Sequence, residues 1–505
     1  MEKIKSSQGD YIQGRFVPVE DANGELESRN PADLDAPSIP FPFAYERVGE
    51  VVGAARSAFL SWKRMPFSDR LSILQKYRKV LVERRTEIEF TLSWEIGKPL
   101  WESKQEFSTM LTMLDDVLAC RAEPFAPQQV EIEEDCTGVV RRFPRGVAVV
   151  ISPSVMPLII PHSHFLPALV MGNTVVLKSS KHSPGVGQLI AEAFHDAGIP
   201  AGVFNVIHGD SELSRRLVSH SDVDTVFFTG SSEAGSKIAK QVAPDYWKLA
   251  VLDLGGKNTV VVWDDCHYQK ALHDAALSAF ITSGQRCTST DRILVHEKIF
   301  DRFVNDLHQI AKKIKVGYAL SDGPDTPFLG PLVSEAALEH YLRTQGMAVR
   351  EGCEEIMRGK TLERDKRGYF VSPSIHWVTK PDPKSMYQKT EVFGPDAAIY
   401  KVGDLSETAE IINLSPFGMV ATVYTAAREN YARLLEESRV GLFHWNRPTT
   451  DVSYRLPYGG VKRSSNARPM GSLAAQQCTV VQSSLEHTGS ASLSHLPHQL
   501  PKLEG

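Results

Sequence analysis

The strongest candidate for covalent chemistry is Cys287, set in Ser283-Gly-Gln-Arg-Cys-Thr-Ser289. It follows a glycine-containing turn and sits beside Arg286, where a helix start or a cation lowers a thiol pKa and frees the thiolate nucleophile. A lone cysteine is more often an inert core residue, so its companions decide. The second candidate is the loop Phe228-Thr-Gly-Ser-Ser-Glu-Ala-Gly235, with glycine at both ends of the span 230–235 and hydroxyls between. Glycine lets backbone approach a phosphate, and a helix beginning there offers free N–H groups to an anion. A plain helix cap has the same composition. Arg447, Arg463 and Arg468, with Lys462, form a late cationic group whose guanidinium forks suit carboxylates; a solvated face or subunit contact is the competing reading. His162 and His164 have no carboxylate or cysteine at metal-ligand spacing and read as structural, so no metal is expected.

These residues need a scaffold. From Gly146 onward, short β-rich runs alternate with amphipathic stretches: strands Val147–Ser152, Thr174–Lys178, Val203–Ile207, Thr225–Phe228 and Leu249–Leu252, with helices Ser163–Met171, Gly185–Ala197, Ser211–Ser219 and Glu233–Val242 between them. Five strands with crossover helices predict a doubly wound parallel sheet, which binds ligands beyond the carboxyl ends of its strands. The loops after Ser152, Lys178, Ile207 and Phe228 are therefore the places to look. A second alternating block runs from Ile293 to Ser438 and predicts another α/β domain. Before both, Tyr45 to Ala119 repeats apolar residues at helical spacing, and Gln128 to Arg142 reads as a hairpin-like arm of the kind that pairs with another subunit. The stretch from His487 to Gly505 predicts a loosely held tail.

Composition narrows the class. The 505 residues are 42% hydrophobic and 23% charged with a net charge of −5, an ordinary globular profile without the basic field that nucleic-acid binding needs. The most apolar stretch, Gly146 to Ile160, is broken by Pro153 and Pro157 and is too short to span a bilayer. The polar start argues for the cytoplasm. The six cysteines, Cys120 among them, are scattered without a Cys-x-x-Cys, so neither a disulfide framework nor a zinc knuckle is indicated.

In order, the chain presents Phe143-Pro-Arg-Gly-Val, Ile151-Ser-Pro, Pro167-Ala-Leu-Val-Met-Gly-Asn-Thr-Val-Val-Leu-Lys178, Phe228-Thr-Gly-Ser, Asp253-Leu-Gly-Gly-Lys257, Gly284-Gln-Arg-Cys287 and Glu391-Val-Phe-Gly-Pro395. This series resembles the aldehyde dehydrogenase superfamily from about Tyr11 to Leu485. The segments Val440-Gly-Leu-Phe-His-Trp-Asn-Arg-Pro, Pro457-Tyr-Gly-Gly-Val and Asn466-Ala-Arg-Pro469 look most like its succinylglutamate semialdehyde dehydrogenase branch. The resemblance implies an α/β fold with a Rossmann-like dinucleotide-binding domain (1–123 and 146–256), a catalytic domain (257–472), a small β oligomerisation arm (124–145 and 473–486) and a tail (487–505), assembled as a homodimer or homotetramer. It further implies NAD or NADP as cofactor and an aldehyde, here an acidic semialdehyde, as substrate. Cys287 would attack the aldehyde to form a thiohemiacetal, then a thioester, and Asp253 would be the base for its hydrolysis. Lys178 and Ser231 would hold ribose and pyrophosphate, and Glu391 and Phe393 the nicotinamide end, with Ile151, Ser152, Lys181, Gly230 and Leu254 completing the nucleotide site. Arg447 and Arg468 would meet the substrate's carboxylate.

Three positions depart from the family pattern. Val155 stands where the family has an asparagine whose amide stabilises the oxyanion, a loss of about 10²–10³ in rate that leaves the Cys287 backbone N–H as the remaining donor. Asp253 replaces a glutamate and withdraws the base by about 1.5 Å; if water does not bridge the gap, the thioester persists and transfer to another nucleophile such as coenzyme A opens up. Lys181 replaces a glutamate that accepts from the adenine-ribose hydroxyls, which predicts that NADP binds at least as well as NAD. Ser465 and Ala467 also replace a glycine and a histidine of the semialdehyde branch. The competing reading is a catalytically weakened relative that keeps the nucleotide pocket and serves in binding or structure.

Overall fold

A computed structural model of the chain describes residues 4–119, 126–133, 135–318, 320, 323, 325–487, 489, 497 and 499–500. Cys120 and most of the tail lie outside the described residues. The strand Val147–Ile151 is buried at every position, as a central parallel strand covered on both faces must be. Its side chains alternate between two cores: Ala148 and Val150 face one, Val147, Val149 and Ile151 the other. Around it the sheet runs in the spatial order Leu249–Leu254, Thr225–Gly230, Val147–Ile151, Thr174–Lys178, Phe204–Ile207, all parallel. Two short strands, Asp10–Ile12 and Arg15–Val17, extend this five-stranded sheet antiparallel at its edge. The doubly wound expectation is met, with an edge that sequence reading did not foresee.

A second sheet of seven strands has the order Glu354–Met357, Ser374–Trp377, Asp396–Val402, Thr290–His296, Asn258–Val262, Val420–Tyr424, Leu442–Trp445. Only Glu354–Met357 is antiparallel to its neighbour. Here too the strands feed two cores, Val260 and Val262 on one face and Val261 on the other. The chain leaves the first sheet at Leu254 and enters the second at Asn258, so residues 255–257 make the whole crossing. The N-terminal block is helical as expected, in the helices Arg47–Arg64, Phe67–Glu83, Arg85–Ile96 and Leu100–Leu118.

The helix expected at Ser163–Met171 starts earlier, at Ile159. Pro161 falls in its first turn, where no backbone N–H is required. The carboxylate of Glu106 caps that turn from another helix, accepting the N–H groups of Leu158 and Ile159 at 3.0 Å each. Finally, Cys136–Pro144 pairs antiparallel with Gln128–Glu133 on one side and Thr479–His487 on the other. This three-stranded arm leaves Val130, Ile132, Val481 and Leu485 exposed.

Candidate active site

Cys287 is carried by a tightly constrained turn. Thr282 and Ser283 adopt left-handed backbone angles (φ 57° and 52°), and Gly284 follows at φ 70°. A Cβ on Gly284 would come within 2.0 Å of the Gly394 carbonyl oxygen, so only glycine allows this close approach. The turn is tied down by Ser283 Oγ donating to Gly330 O at 2.8 Å and by Val333 N–H donating to Gln285 Oε1 at 3.0 Å. Asn258 Nδ2 donates to the carbonyls of both Cys287 (2.8 Å) and Ser289 (2.7 Å), which fixes the peptide that bears the sulfur. Arg286 does not face the thiol as a bare cation. It donates to Thr282 Oγ1 at 2.6 Å and pairs with the buried Glu102 at 3.2 Å.

The Cys287 side chain is half-buried, with Sγ 3.1 Å from the hydroxyl of Tyr458. Burial and the neighbouring carboxyl of Asp253 push its pKa upward, and the Tyr458 hydrogen bond pulls it back. Asp253 is fully buried at the end of its strand, and neither carboxyl oxygen has a hydrogen-bond partner among the described residues. Burial raises it to about 8. The strand end is pinned by the segment Ser464–Asn466: Leu254 N–H donates to Ser464 O and Ser465 Oγ to Leu252 O, both at 2.8 Å. Glu391 accepts from Gly256 N–H at 3.0 Å and is raised to about 8, first by burial and then by Asp291.

These groups border one cleft of about 1880 Å³ between the two α/β units. Ser152, Val155, Lys181, Gly230, Ser231, Gly235 and Leu254 line it from the first unit; Cys287, Glu391, Phe393, Tyr454 and Tyr458 line it from the second. Asp253 lies behind the wall rather than in it. Ile151 and Lys178 end their strands, both buried, and are not among the residues that line the cleft; burial lowers Lys178 to about 8, partly offset by Asp210. Ser231 begins the helix Ser232–Val242, its Oγ accepting from Ala234 N–H at 3.2 Å. Val155 packs with Ile96, Val333 and Phe393 and offers no donor.

The structure does not bring Arg447 or Arg468 to this cleft. Arg447 is exposed and paired with Asp451, and Arg468 donates to the carbonyls of Gly460 (2.7 Å) and Ala467 (3.1 Å). Local hydrogen-bond partners claim both guanidinium groups. Lys462 and Arg463 of the same cationic group do line the cleft, and Arg286 lines it too, where a side cavity of about 520 Å³ lined by Trp101, Leu277, Ile281 and Phe328 joins it. Sequence reasoning missed the polar role of Tyr458, whose motif had been noted only as a family marker, and the clamp made by Asn258. His162 is structural as expected: Tyr77 Oη lies 2.8 Å from its Nε2, and burial lowers it to about 3. Among the described residues no group of three or more His, Cys, Asp or Glu could hold a metal, and no helix is long and apolar enough to cross a membrane.

A cysteine on a constrained turn, a glycine cradle at a helix start and a carboxylate loop thus meet in one cleft. Residues 19–484 match the aldehyde dehydrogenase family model. The chain belongs to the aldehyde dehydrogenase family. It is 34% identical over 482 residues to N-succinylglutamate 5-semialdehyde dehydrogenase of Chromobacterium violaceum, covering 94% of this chain and 96% of that one. The enzyme of the same name from Novosphingobium aromaticivorans is 32% identical over 443 residues, covering 87% and 92%. Among solved structures, an NAD-dependent aldehyde dehydrogenase from Sinorhizobium meliloti superposes with a TM-score of 0.90 at 26% identity, covering 98% of this chain and 97% of that one. An NADP-dependent enzyme of E. coli gives 0.88 at 27%, covering 95% and 98%.

Proposed function

We propose that this protein oxidises an acidic semialdehyde to a carboxylic acid with NADP or NAD, through a thioester on Cys287. The observation that carries the reading is the placement of Cys287 Sγ on the same cleft as the Gly230–Gly235 cradle and the Glu391–Phe393 loop. The fit to a dinucleotide rests on that cradle: a Cβ at Gly235 would strike Leu254 at 2.5 Å, and one at Gly255 would strike Glu391 at 1.8 Å. The first N–H groups of the helix Ser232–Val242 suit the pyrophosphate, and Glu391 and Phe393 suit the nicotinamide end. When bound, the nicotinamide supplies the hydride acceptor.

The thiolate of Cys287 attacks the aldehyde carbon, and the turn at 282–284 holds the sulfur in line for it. After oxidation, the ionised form of Asp253 takes a proton from the water that attacks the thioester; being raised to about 8, that form grows as pH rises from neutral.

Lys181 is exposed at the cleft, with Lys178 near enough that both cations depress His182. Two cations, against the one carboxylate of Asp210 that acts on Lys178, favour a 2′-phosphate, so NADP binds at least as well as NAD. The relatives named for succinylglutamate semialdehyde support an acidic substrate. The exposed apolar residues of the arm support pairing of subunits through it. The test is reduction of nicotinamide by a panel of aldehydes, with titration of both nucleotides and Cys287→Ser as control. Cysteine-dependent turnover, fastest with acidic semialdehydes, is expected. Nucleotide binding without burst or turnover would point to a binding role, and NAD binding more than tenfold tighter than NADP would overturn the cofactor reading.

A further inference from the structure

The reaction end of the cleft has a deficit. Val155 offers no donor and is packed into a small apolar cluster with Ile96 and Val333. The cation nearest in sequence, Arg286, is committed to Glu102 and Thr282. The titratable groups that face Cys287 are Asp253 from the strand end, Glu391 from the loop before Gly394, and Tyr454 and Tyr458 from the segment ahead of Gly459. Both carboxyls oppose negative charge on the sulfur. A buried anion without a donor or counter-charge is costly, yet the reaction passes through two, the thiolate and the tetrahedral alkoxide.

Beside the Cys287 backbone N–H, one side chain answers this need. Tyr458 is 3% exposed, and its hydroxyl lies 3.1 Å from Sγ. It is held there by backbone pairing of Tyr458 with Met470, whose carbonyl accepts Tyr458 N–H at 3.1 Å. Burial and the surrounding anionic groups push its own pKa well upward, so it stays a donor throughout the working range. The carbonyl oxygen of an attacked aldehyde sits one bond beyond the carbon that Sγ reaches. A hydroxyl already touching Sγ is therefore within reach of that oxygen as well.

We propose that the Tyr458 hydroxyl is the catalytic anion donor that stands in for the missing amide at position 155, hydrogen-bonding first the Cys287 thiolate and then the oxyanion formed from it. This deepens the aldehyde-oxidation reading and rests on it. In the step, the Sγ lone pair forms the S–C bond while the C=O π pair moves to oxygen. The Tyr458 proton remains on the phenol and swings its hydrogen bond from sulfur to oxygen. When the hydride leaves carbon, the C=O bond re-forms as the thioester and the hydroxyl returns to a neutral acceptor.

The test is Tyr458→Phe, which keeps the ring and removes the oxygen. Three readouts are taken: the pH profile of Cys287 alkylation by iodoacetamide, with Cys287→Ser subtracting the other cysteines; kcat and KM for aldehyde; and nucleotide affinity. The alkylation curve should move to higher pH and kcat should fall about 10²-fold, with KM and nucleotide affinity within threefold of the parent. Superimposable alkylation curves, or a kcat within threefold, would overturn the proposal. If the parent enzyme shows no cysteine-dependent turnover at all, the oxidation reading fails, while the alkylation shift still decides whether the hydroxyl holds the sulfur. Should Tyr458→Phe not fold, 3-fluorotyrosine at 458, a stronger donor of nearly the same shape, must move the alkylation curve to lower pH; an unmoved curve is the contrary result.

Discussion

The two ends of the cleft are built in different ways. At the nucleotide end the working groups are backbone: a strand end, a glycine turn and the first N–H groups of the helix Ser232–Val242. They come with the parallel sheet, and any chain that folds this way presents them. At the reaction end the groups are side chains drawn from segments far apart in sequence: Asp253, Cys287, Glu391, Tyr454 and Tyr458. Here lie the two positions, Val155 and Asp253, that the sequence reading singles out as departures. A site made of backbone is inherited with the topology, whereas a site made of side chains is free to be re-equipped one residue at a time.

The comparison is sharpened most by Asp253→Asn. Steady-state kcat should fall by about 10²–10⁴ while a first-turnover burst of reduced nucleotide survives, because only deacylation needs the base. The base works ionised, so parent kcat should rise with pH and level off above about 8, a limb the variant should lack in a pH-rate series. The same carboxyl has an ordinary value of 3.8 and is raised on folding. Between those values the folded chain keeps a proton that the unfolded chain has lost, so stability falls as pH rises. The Tm gain of Asp253→Asn should accordingly be larger at pH 8 than at pH 4, as a calorimeter would record.

The next effect is smaller and concerns donors. Adding Val155→Asn to Tyr458→Phe should restore kcat by about tenfold, a larger gain than in the parent, since one donor then does what two would share. Equal gains in both backgrounds, measured as a double-mutant cycle, would separate the two positions. At the nucleotide end, Lys181→Glu should weaken NADP by about tenfold and leave NAD within threefold, as read by titration. Smallest of all, Arg447→Ala and Arg468→Ala should each change kcat/KM for acidic aldehydes by less than threefold, because Asp451 already holds the first guanidinium and the Gly460 and Ala467 carbonyls the second.

The same contrast governs what could be read from the chain. The sheet Val147–Leu254 was legible because buried parallel strands are continuous apolar runs and their crossover helices are long. Strands such as Ser374–Trp377 and Leu442–Trp445 were not, being four residues each and ordered by neighbours far away. Asn258–Val262 was overlooked because it follows Leu249–Leu254 with no helix between, although it belongs to the other sheet. The start of the helix at Ile159 was hidden because its cap, Glu106, is 52 residues from the N–H at Leu158. In the site, Cys287 and Glu391 stood out through motifs. The hydroxyl of Tyr458 did not, since its meaning depends on a sulfur 171 positions away.

Gly284 rests directly on the Gly394 carbonyl, with no room for even a methyl group between them. The strip of chain bearing the nucleophile and the strip bearing Glu391 therefore behave as one mechanical part. Neither strip can drift while the other stays still, so whatever presses on the carboxylate loop is felt at the sulfur without an intermediary.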